Sequence, residues 1–427
     1  MLQKSVPNII YERIIQPIVS QYSSLRHLQD RNLAVLSGVN FLDMMSMSII
    51  VPLLPVYATE LGASAFLIGT IFAAETATRA ILSTPFGSLS DRFDRKLLIS
   101  LGTIVSAAGI AAFGFVDTAV LLILFRIVDG IGTAMRGPVT TAYIGDSYDS
   151  EERGSAIGAY KTMGMLGVGI GPAVGGVLWS VGGLALPFIL LGTATLVGGI
   201  VLLIYLERVP TTSNEDNEVS LLSLSWSDFS ELYTPSIGVL ITSAFIAQLG
   251  SGAFNPLIAI LLESTLQVDP GFTGIAWSMF GIAMFISMPV AGQLADSSGR
   301  RRNLVIGKLM WGGVVLLLVI NNSQIVALGL LFLAGVASAL AAPALGALRY
   351  ETAPEDHQGM MMGLYSTVGA AGTAAGPIVG GWFADLTSVS VVFLVIAGLW
   401  FVDAIIIGVG VNDPTTVTET QQQSVAE

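Results

Sequence analysis

Seven charged side chains lie deep inside segments of the chain that are otherwise apolar. They are Asp43, Glu75, Arg79, Arg126, Asp129, Arg136 and Lys161. A charge in the hydrocarbon core of a bilayer is costly unless it is paired or hydrated, so such residues usually mark a path for protons or substrate. The set therefore indicates proton transfer or recognition of a charged group, although a purely structural network of salt bridges would also explain it.

The spacing of these charges assigns them different chemistry. Glu75 and Arg79 are four residues apart, and Arg126 and Asp129 are three apart, so each pair shares one face of a helix and can neutralise itself. Asp43 has no such neighbour and lies about 15 Å into its segment at 1.5 Å per helical residue. Because desolvation favours the protonated form of a carboxylate, Asp43 is the leading predicted proton acceptor, ahead of Glu75 and Asp129.

Twelve apolar segments must position these side chains. Only 11% of the residues are charged, 53% are hydrophobic, and the mean hydropathy is +0.76. A helix needs roughly 20 apolar residues to cross a bilayer. The predicted spans are residues 33–57, 65–89, 96–116, 119–143, 155–180, 184–206, 236–262, 271–294, 303–321, 325–348, 359–384 and 389–411. Alternate loops carry every lysine and arginine that lies between spans, which places both termini in the cytoplasm.

The chain repeats itself at an offset of 205 residues. Gly171-Pro172-x-x-Gly175-Gly176 returns as Gly376-Pro377-x-x-Gly380-Gly381. A charged loop motif after the second span, with Gly87, Asp91 and Arg95, returns after the eighth span with Gly292, Asp296 and Arg300. A duplicated membrane unit of this kind is typical of secondary transporters. The sequence thus predicts an all-α membrane protein with 12 transmembrane helices in two pseudo-symmetric six-helix bundles.

Both repeated motifs have a conformational interpretation. In the loop motif, glycine permits close helix approach, and the acid can pair with an arginine or cap a helix, which would clamp one face closed. The alternative is that the basic residues only mark topology. In the fifth span, glycines recur every three or four residues around Pro172, and the eleventh span repeats the pattern around Pro377. We expect tight packing along these stripes, at a seam where the two bundles slide.

Four segments carry a resemblance to a known family. They are GSLSDRFDRKLLI, GQLADSSGRRRNL, LFRIVDGIG and GVGIGPAVGG. Together they resemble the major facilitator superfamily, over nearly all of the chain outside its termini and linker. Within this family, a fifth helix with this glycine-proline pattern is associated with proton-coupled exporters, above all multidrug antiporters. The resemblance also implies that Arg126 modulates the protonation of a nearby acid. Asp94 departs from the family pattern, which usually has glycine there.

The two halves differ in their charges. None of the seven deep charges has a charged counterpart 205 residues later, so the C-terminal half is predicted to be largely uncharged within the membrane. Its aromatic and methionine side chains suit varied substrates, because such walls repack. The predicted substrate cavity combines residues from both halves: Arg79, Arg136, Lys161, Gln248, Asn255, Trp277, Phe280 and Met284.

Other classes of protein lack their signatures here. A primary pump needs a phosphate-binding loop, and the sequence contains no G-x-x-x-x-G-K-[ST]. Neither histidine lies in a span and there is no cysteine, so we expect no enzyme activity, cofactor or metal site. A non-transporting sensor on the same scaffold stays open. The predicted domains are 1–32, 33–207, 208–234, 235–411 and 412–427, namely an N-terminal segment, a bundle, a linker, a second bundle and a tail.

These features predict a secondary transporter that exports small hydrophobic or amphipathic molecules in exchange for protons. The alternative is a proton-coupled transporter of an organic anion, sugar or metabolite, which the surplus of deep bases over acids favours. We expect a monomer in the plasma membrane that crosses the lipid bilayer many times. Its partners would be protons and a small-molecule substrate, and no nucleic acid.

Overall fold

The structure is a computed structural model that describes residues 24–90, 92–209, 234–354 and 357–411. A short 3-10 helix, Ser24–Gln29, precedes the first bundle. The helices of this bundle are α1 (Arg31–Ser48), α2 (Ile50–Glu60), α3 (Ala65–Leu89), α4 (Arg95–Ala112), α5 (Ala119–Ser147), α6 (Ser150–Gly182) and α7 (Ala185–Tyr205).

The second bundle contains six helices. They are α8 (Pro235–Leu266), α9 (Pro270–Ser298), α10 (Arg300–Ile320), α11 (Gln324–Thr352), α12 (Gln358–Leu386) and α13 (Val389–Gly410). Most of the linker and of both terminal segments lies outside the described residues. The predicted domain boundaries therefore stay predictions.

The first predicted span is two helices. α1 and α2 meet at a bend of 40° at Ile49. Pro52 has no N–H to donate to the carbonyl of Ser48, and its ring would clash with that carbonyl in a continuous helix. The sequence analysis missed this break, although Pro52 signalled it.

The span count agrees with the sequence. Within the described ranges, nine helices are long and apolar enough to cross a membrane, and the pair α1 and α2 makes a tenth span. The other two helices, α5 and α12, each have 29 residues and pack within the same bundles. α5 carries three of the deep charges and α12 is rich in glycine, and both features make a helix less apolar. The described residues thus form twelve spans.

The helices pack in the same pattern in both halves. In the first half α1 packs on α6, α3 on α5, and α4 on both α5 and α7. In the second half α8 packs on α12, α9 on α11, and α10 on both α11 and α13. Each contact in one half has its repeat-related counterpart in the other. This confirms the two pseudo-symmetric six-helix bundles.

The glycine stripes hold each bundle together internally. A Cβ added at Gly167 or Gly171 would collide with backbone atoms of Phe41 or Met45 in α1. Gly376 approaches the backbone of α8 in the same way. The expected tight packing is therefore present. The expectation that these stripes form the sliding seam is wrong, because they face a helix of their own half.

The seam between the halves uses other faces of the same helices. α3 packs on α12, and α6 packs on α9. A Cβ at Gly69 would lie well under 3.0 Å from the carbonyl oxygen of Pro377, and one at Gly274 equally close to that of Pro172. These two contacts are related by the 205-residue repeat. The predicted role of both prolines in the moving parts is thus compatible with their position.

This seam is confined to one side of the molecule. We call the side that bears residues 24–30 and Val411 the terminal side, and the opposite one the far side. Glycines at the far side of α3, α6, α9 and α12 touch the other half, whereas a Cβ at Gly87 or Gly292, near the terminal side, would meet no atom within 4 Å. The expected close approach at Gly87 and Gly292 is therefore not present, because the halves diverge there.

Candidate functional site

Asp43 in α1 forms an ion pair with Arg136 in α5. Both side chains are almost completely buried, with 1% and 8% of their surface exposed. Neither carboxylate oxygen of Asp43 accepts a hydrogen bond from a backbone or hydroxyl group within the described residues. Arg136 also lies 3.4 Å, through Nη2, from the sulfur of Met47. The lone acid of the sequence analysis thus has a partner, supplied by another helix.

A small cavity borders this ion pair. Its volume is about 10 Å³, and Asp43, Arg136, Asn40, Thr140 and Tyr160 contribute polar groups to its lining. A volume of about 10–15 Å³ is the space that one water molecule needs, and such a water requires two to four polar partners. The cavity can therefore hold a water in contact with the Asp43 carboxylate.

A second cluster joins the remaining deep acids of the first half. Arg126 donates to Asp129 Oδ2 at 2.6 Å and lies 3.5 Å from Glu75 Oε2. Arg79 donates through Nε to Glu75 Oε1 at 2.8 Å. Ser106 of α4 donates to Asp129 Oδ1 at 2.6 Å. Both predicted pairs, Glu75 with Arg79 and Arg126 with Asp129, are therefore present and form one network across α3, α4 and α5.

The three acids differ in the number of groups that contact their carboxylates. Asp129 accepts hydrogen bonds from an arginine and a serine, and Glu75 accepts one from an arginine and lies 3.2 Å from the hydroxyl of Thr76. Asp43 has only Arg136. Among these acids Asp43 therefore loses the fewest contacts when it is protonated.

A large cavity separates the two halves on the terminal side of the seam. Its volume is about 760 Å³, and α3, α8, α11 and α12 contribute its lining. The halves diverge at Gly87 and Gly292 on this side, so the cavity is not sealed there. Its polar lining includes Arg79, Gln248, Arg349, Tyr365 and Thr373. The volume is in the range of 300–1,000 Å³ that holds drug-sized ligands.

The predicted cavity residues are only partly brought together. Arg79 and Gln248 line the large cavity, and Gln248 donates to Thr373 at 3.0 Å. Arg136 is buried against Asp43 instead. Lys161 is exposed, and Asn255 and Met284 are half-buried, all three outside that lining.

Two predicted wall residues belong to the core of the second half. Trp277 is buried and stacks on Phe280, with ring centroids 5.1 Å apart. Phe254 and Trp311 extend this aromatic cluster. Aromatic side chains bury large areas, so their apolar character in the sequence reflected packing within the bundle. The expectation that they line the substrate cavity is not supported by this arrangement.

The second half contains a buried ion pair that the sequence analysis missed. Lys308 in α10 pairs with Asp403 in α13, and 2% and 1% of their side chains are exposed. Lys308 also lies over the ring of Trp400, 5.6 Å from its centroid. The expectation of a largely uncharged second half is therefore wrong. Both residues stand inside predicted spans, and that position was the available signal.

The loop motif forms repeat-related ion pairs on the terminal side. Arg95 pairs with Asp146 in the first half, and Arg300 pairs with Glu351 in the second. Arg300 also lies 3.5 Å from Asp296. Asp91, the first acid of the motif, lies outside the described residues. Each arginine thus joins the start of one helix to the end of another within its own half.

Comparison with known proteins agrees with this architecture. The sequence profile of the Major Facilitator Superfamily matches residues 36–241 and 240–426. An uncharacterized MFS-type transporter of Methanocaldococcus jannaschii is 26% identical over 384 residues, which cover 87% of this chain and 97% of the relative. The multi-drug resistance efflux pump PmrA of Streptococcus pneumoniae is 24% identical over 357 residues, covering 82% and 88%.

A solved structure shares the fold. A bacterial homologue of the human lysosomal transporter Spinster, in an inward-facing and occupied conformation, superposes with a TM-score of 0.74 over 90% of this chain and 97% of its own, at 15% identity. The profile covers both bundles, and the repeated packing and the twelve spans are those expected of the family. The chain therefore belongs to the Major Facilitator Superfamily and is a multi-pass membrane transporter.

Proposed function

We propose that this protein is a proton-coupled antiporter that exports small amphipathic molecules by alternating access. The observation that carries the proposal is the shape of the interface between the halves. They touch along a glycine-lined seam on the far side and enclose a cavity of about 760 Å³ that is open elsewhere. Such a molecule can expose one cavity to each side in turn when its halves rock about the site.

The distribution of basic residues supports the direction of export. The positive-inside rule supports a cytoplasmic location for the terminal side, and the conformation described here would then take up substrate from the cell. The name of the pneumococcal relative, a multi-drug resistance efflux pump, supports efflux of varied molecules. The chain would act as a monomer in the plasma membrane.

Asp43 is the proposed proton carrier. It is buried, it has a single charged partner, and the cavity beside it has room for a water that could bring the proton. Protonation would remove the charge of Asp43 and release Arg136. Because Asp43 lies on α1 and Arg136 on α5, this release would loosen the packing of α1 against its bundle. Glu75, Asp129 and Arg126 form the second proposed coupling cluster.

The proposed gates are the loop motifs on the terminal side. In the conformation that closes this side, Gly87 and Gly292 would let α3 and α9 approach the opposite half, as the far-side glycines do here. Arg95 and Arg300 hold the helix ends of each half in register through Asp146 and Glu351. Asp91 and Asp296 would then bind the opposite half.

Asp43→Asn tests the coupling role, and Asp403→Asn is its matched control. Both acids are buried and each is paired with one base, but Asp403 in α13 pairs with Lys308 in α10, and neither helix lines the large cavity. Each variant leaves a base buried without its partner, so both should lose stability to a similar extent. Only Asp43→Asn should abolish transport driven by a pH gradient.

The measurement uses proteoliposomes that have an acidic lumen and contain a pH-sensitive dye. A second, amphipathic dye serves as the transported substrate. The wild type should accumulate this substrate dye in the lumen and raise the luminal pH as protons leave. Asp43→Asn should exchange labelled for unlabelled dye but no longer respond to the gradient. Equal coupled rates in Asp43→Asn and the wild type would transfer the role to Glu75 or Asp129. Lumen acidification on dye entry would refute antiport.

A further inference from the structure

We propose that the large cavity selects amphipathic anions and holds their acidic group between Arg79 of the first half and Arg349 of the second. This inference rests on the proposed function, because it names the substrate class of that same cavity. It assigns a binding role to Arg349 and Tyr365, which the sequence analysis did not include in the site.

Arg349 has no carboxylate within ion-pair distance among the residues that the structure describes. It projects from α11 over the ring of Tyr365, 5.2 Å from the centroid, and both residues line the cavity. Its Nε has no hydrogen-bond acceptor among those residues. A partly buried guanidinium beside a cavity can donate two parallel hydrogen bonds to an anionic ligand. Such charge-assisted hydrogen bonds are stronger than those to a neutral ligand.

Tyr365 supplies a second unsatisfied group at the same place. Only 2% of its surface is exposed, yet its hydroxyl has no partner among the described residues. Buried polar groups are nearly always hydrogen-bonded, so an orphan hydroxyl on a cavity wall indicates a partner that arrives with the ligand. A phenolic hydroxyl can donate to an oxyanion beside the Arg349 fork.

Arg79 lines the same cavity from the opposite half of the protein. Its side chain is 43% exposed and donates through Nε to Glu75, whose side chain is only 7% exposed. This single bond leaves the two terminal amino groups of the guanidinium with no carboxylate among the described residues. An acidic group in the cavity can therefore bind one arginine from each half, and would draw the halves together as the substrate is enclosed.

The charge balance of the membrane interior supports an anion over a cation. Each deep acid in the described residues already has a basic partner: Asp43 with Arg136, Glu75 and Asp129 with Arg79 and Arg126, and Asp403 with Lys308. Among the described residues, Arg349 at the end of the tenth span and the exposed Lys161 have no such partner. No aspartate or glutamate of the described chain lines the large cavity. A cationic substrate would therefore lose its hydration there without gaining a counter-charge.

The remainder of the lining fits an apolar body. Alanines and Ile81 alternate with hydroxyl-bearing side chains such as Ser83 and Thr84 along the wall. These groups accept an apolar ring or chain with a few polar substituents, which is the usual composition of a small-molecule site. The cavity thus matches a molecule that is apolar over most of its surface and carries one acidic head.

Three probes of one shape and different charge test the inference. They are naphthalenesulfonate, the neutral naphthalenesulfonamide and the naphthylmethyl-trimethylammonium cation. Binding to the purified full-length protein should be tightest for the sulfonate. Arg349→Gln should weaken sulfonate binding about tenfold or more, as loss of a charge-assisted hydrogen bond implies, and leave sulfonamide binding within about twofold. Arg349→Lys should recover part of the loss, since it keeps the charge without the planar fork.

Arg302→Gln is the control for net charge. Arg302 is exposed at the start of α10, outside the cavity, so its removal should not change binding of any probe. Tighter binding of the ammonium than of the sulfonate, or equal weakening of all three probes by Arg349→Gln, would overturn the inference. Gradient-driven transport of the ammonium alone would overturn it while supporting the proposed antiport. If the protein binds the sulfonate in an Arg349-dependent way but transports none of the probes, the anion-binding inference is supported and the proposed antiport is refuted.

Discussion

Adding one methyl group at the seam should shift the conformational preference of this transporter towards the state that is open on the far side. Gly69 and Gly274 are repeat-related, and each lies against the carbonyl oxygen of a proline in the opposite half. In Gly69→Ala or Gly274→Ala the new Cβ would sit well under 3.0 Å from that oxygen. The obstacle is backbone, so the helices themselves must separate. The conformation that is closed on the far side is then strained.

The size of the effect follows from the geometry. Inserting a methyl group into a well-packed site costs about 1–3 kcal/mol. Because the clash exists only while the far side is closed, this cost falls on one of the two conformations. A bias of about 1–3 kcal/mol changes their ratio by roughly 5–150-fold. The double variant strains both repeat-related contacts, and we expect its shift to exceed that of either single variant.

Distances between spin labels measure the shift directly. The natural chain has no cysteine, so introduced cysteines are labelled without background. Ser88→Cys with Gly363→Cys reports the terminal side, and Thr59→Cys with Thr387→Cys reports the far side, at exposed positions. Gly69→Ala and Gly274→Ala should shorten the first distance and lengthen the second.

The control is a glycine with free space around it. Gly329 in α11 is exposed, and a Cβ there would meet nothing within 4 Å, so Gly329→Ala should leave both distances unchanged. Unaltered distance distributions in Gly274→Ala would show that the seam tolerates the methyl group. A longer distance on the terminal side would contradict the assignment of the seam as the closed gate.

Two further predictions concern ion pairs and caps. Asp385 accepts from the backbone N–H groups of Ala65 and Phe66 across the seam, at 2.9 and 3.0 Å, so Asp385→Ala should shift the same label distances in the same direction. The shift should be smaller, because losing an exposed cap costs about 1 kcal/mol, and unchanged distances would exclude a role for this cap. Asp403→Leu alone should lower the free energy of unfolding by about 3–5 kcal/mol, whereas the double variant with Lys308→Met should be near neutral. Denaturation in detergent measures both, and a double variant less stable than either single one would contradict this.

Local patterns in the sequence predicted what depends on neighbouring residues. Hydropathy over about 20 residues located the spans, because crossing a bilayer requires a continuous apolar stretch. The spacing of three or four residues predicted the pairs Glu75–Arg79 and Arg126–Asp129, because residues at that spacing are neighbours on one helix whatever the rest of the fold. The glycine stripes were also predicted as packing surfaces.

Contacts between distant residues were decided only by the tertiary structure. Arg136 approaches Asp43 from a helix that begins 76 residues after that acid, and Lys308 pairs with Asp403 across 95 positions. Helical periodicity states which residues share a face, but the neighbour of that face depends on how all the helices pack. This is why the stripes on α6 and α12 were assigned to the sliding seam when they bind α1 and α8.

The sequence by itself determined a duplicated twelve-span transporter, because membrane insertion and internal repeats depend on local composition and register. The tertiary structure decided which charges are neutralised and which are left for a ligand. Arg349 and Tyr365 look ordinary in the sequence, one at the end of a span and one in a glycine-rich helix. Only the folded chain shows that, among the described residues, one has no carboxylate within ion-pair distance and the other no hydrogen-bond partner. Whether a charged side chain is paired depends on which residues lie near it in space, and an unpaired charge inside a bilayer is costly.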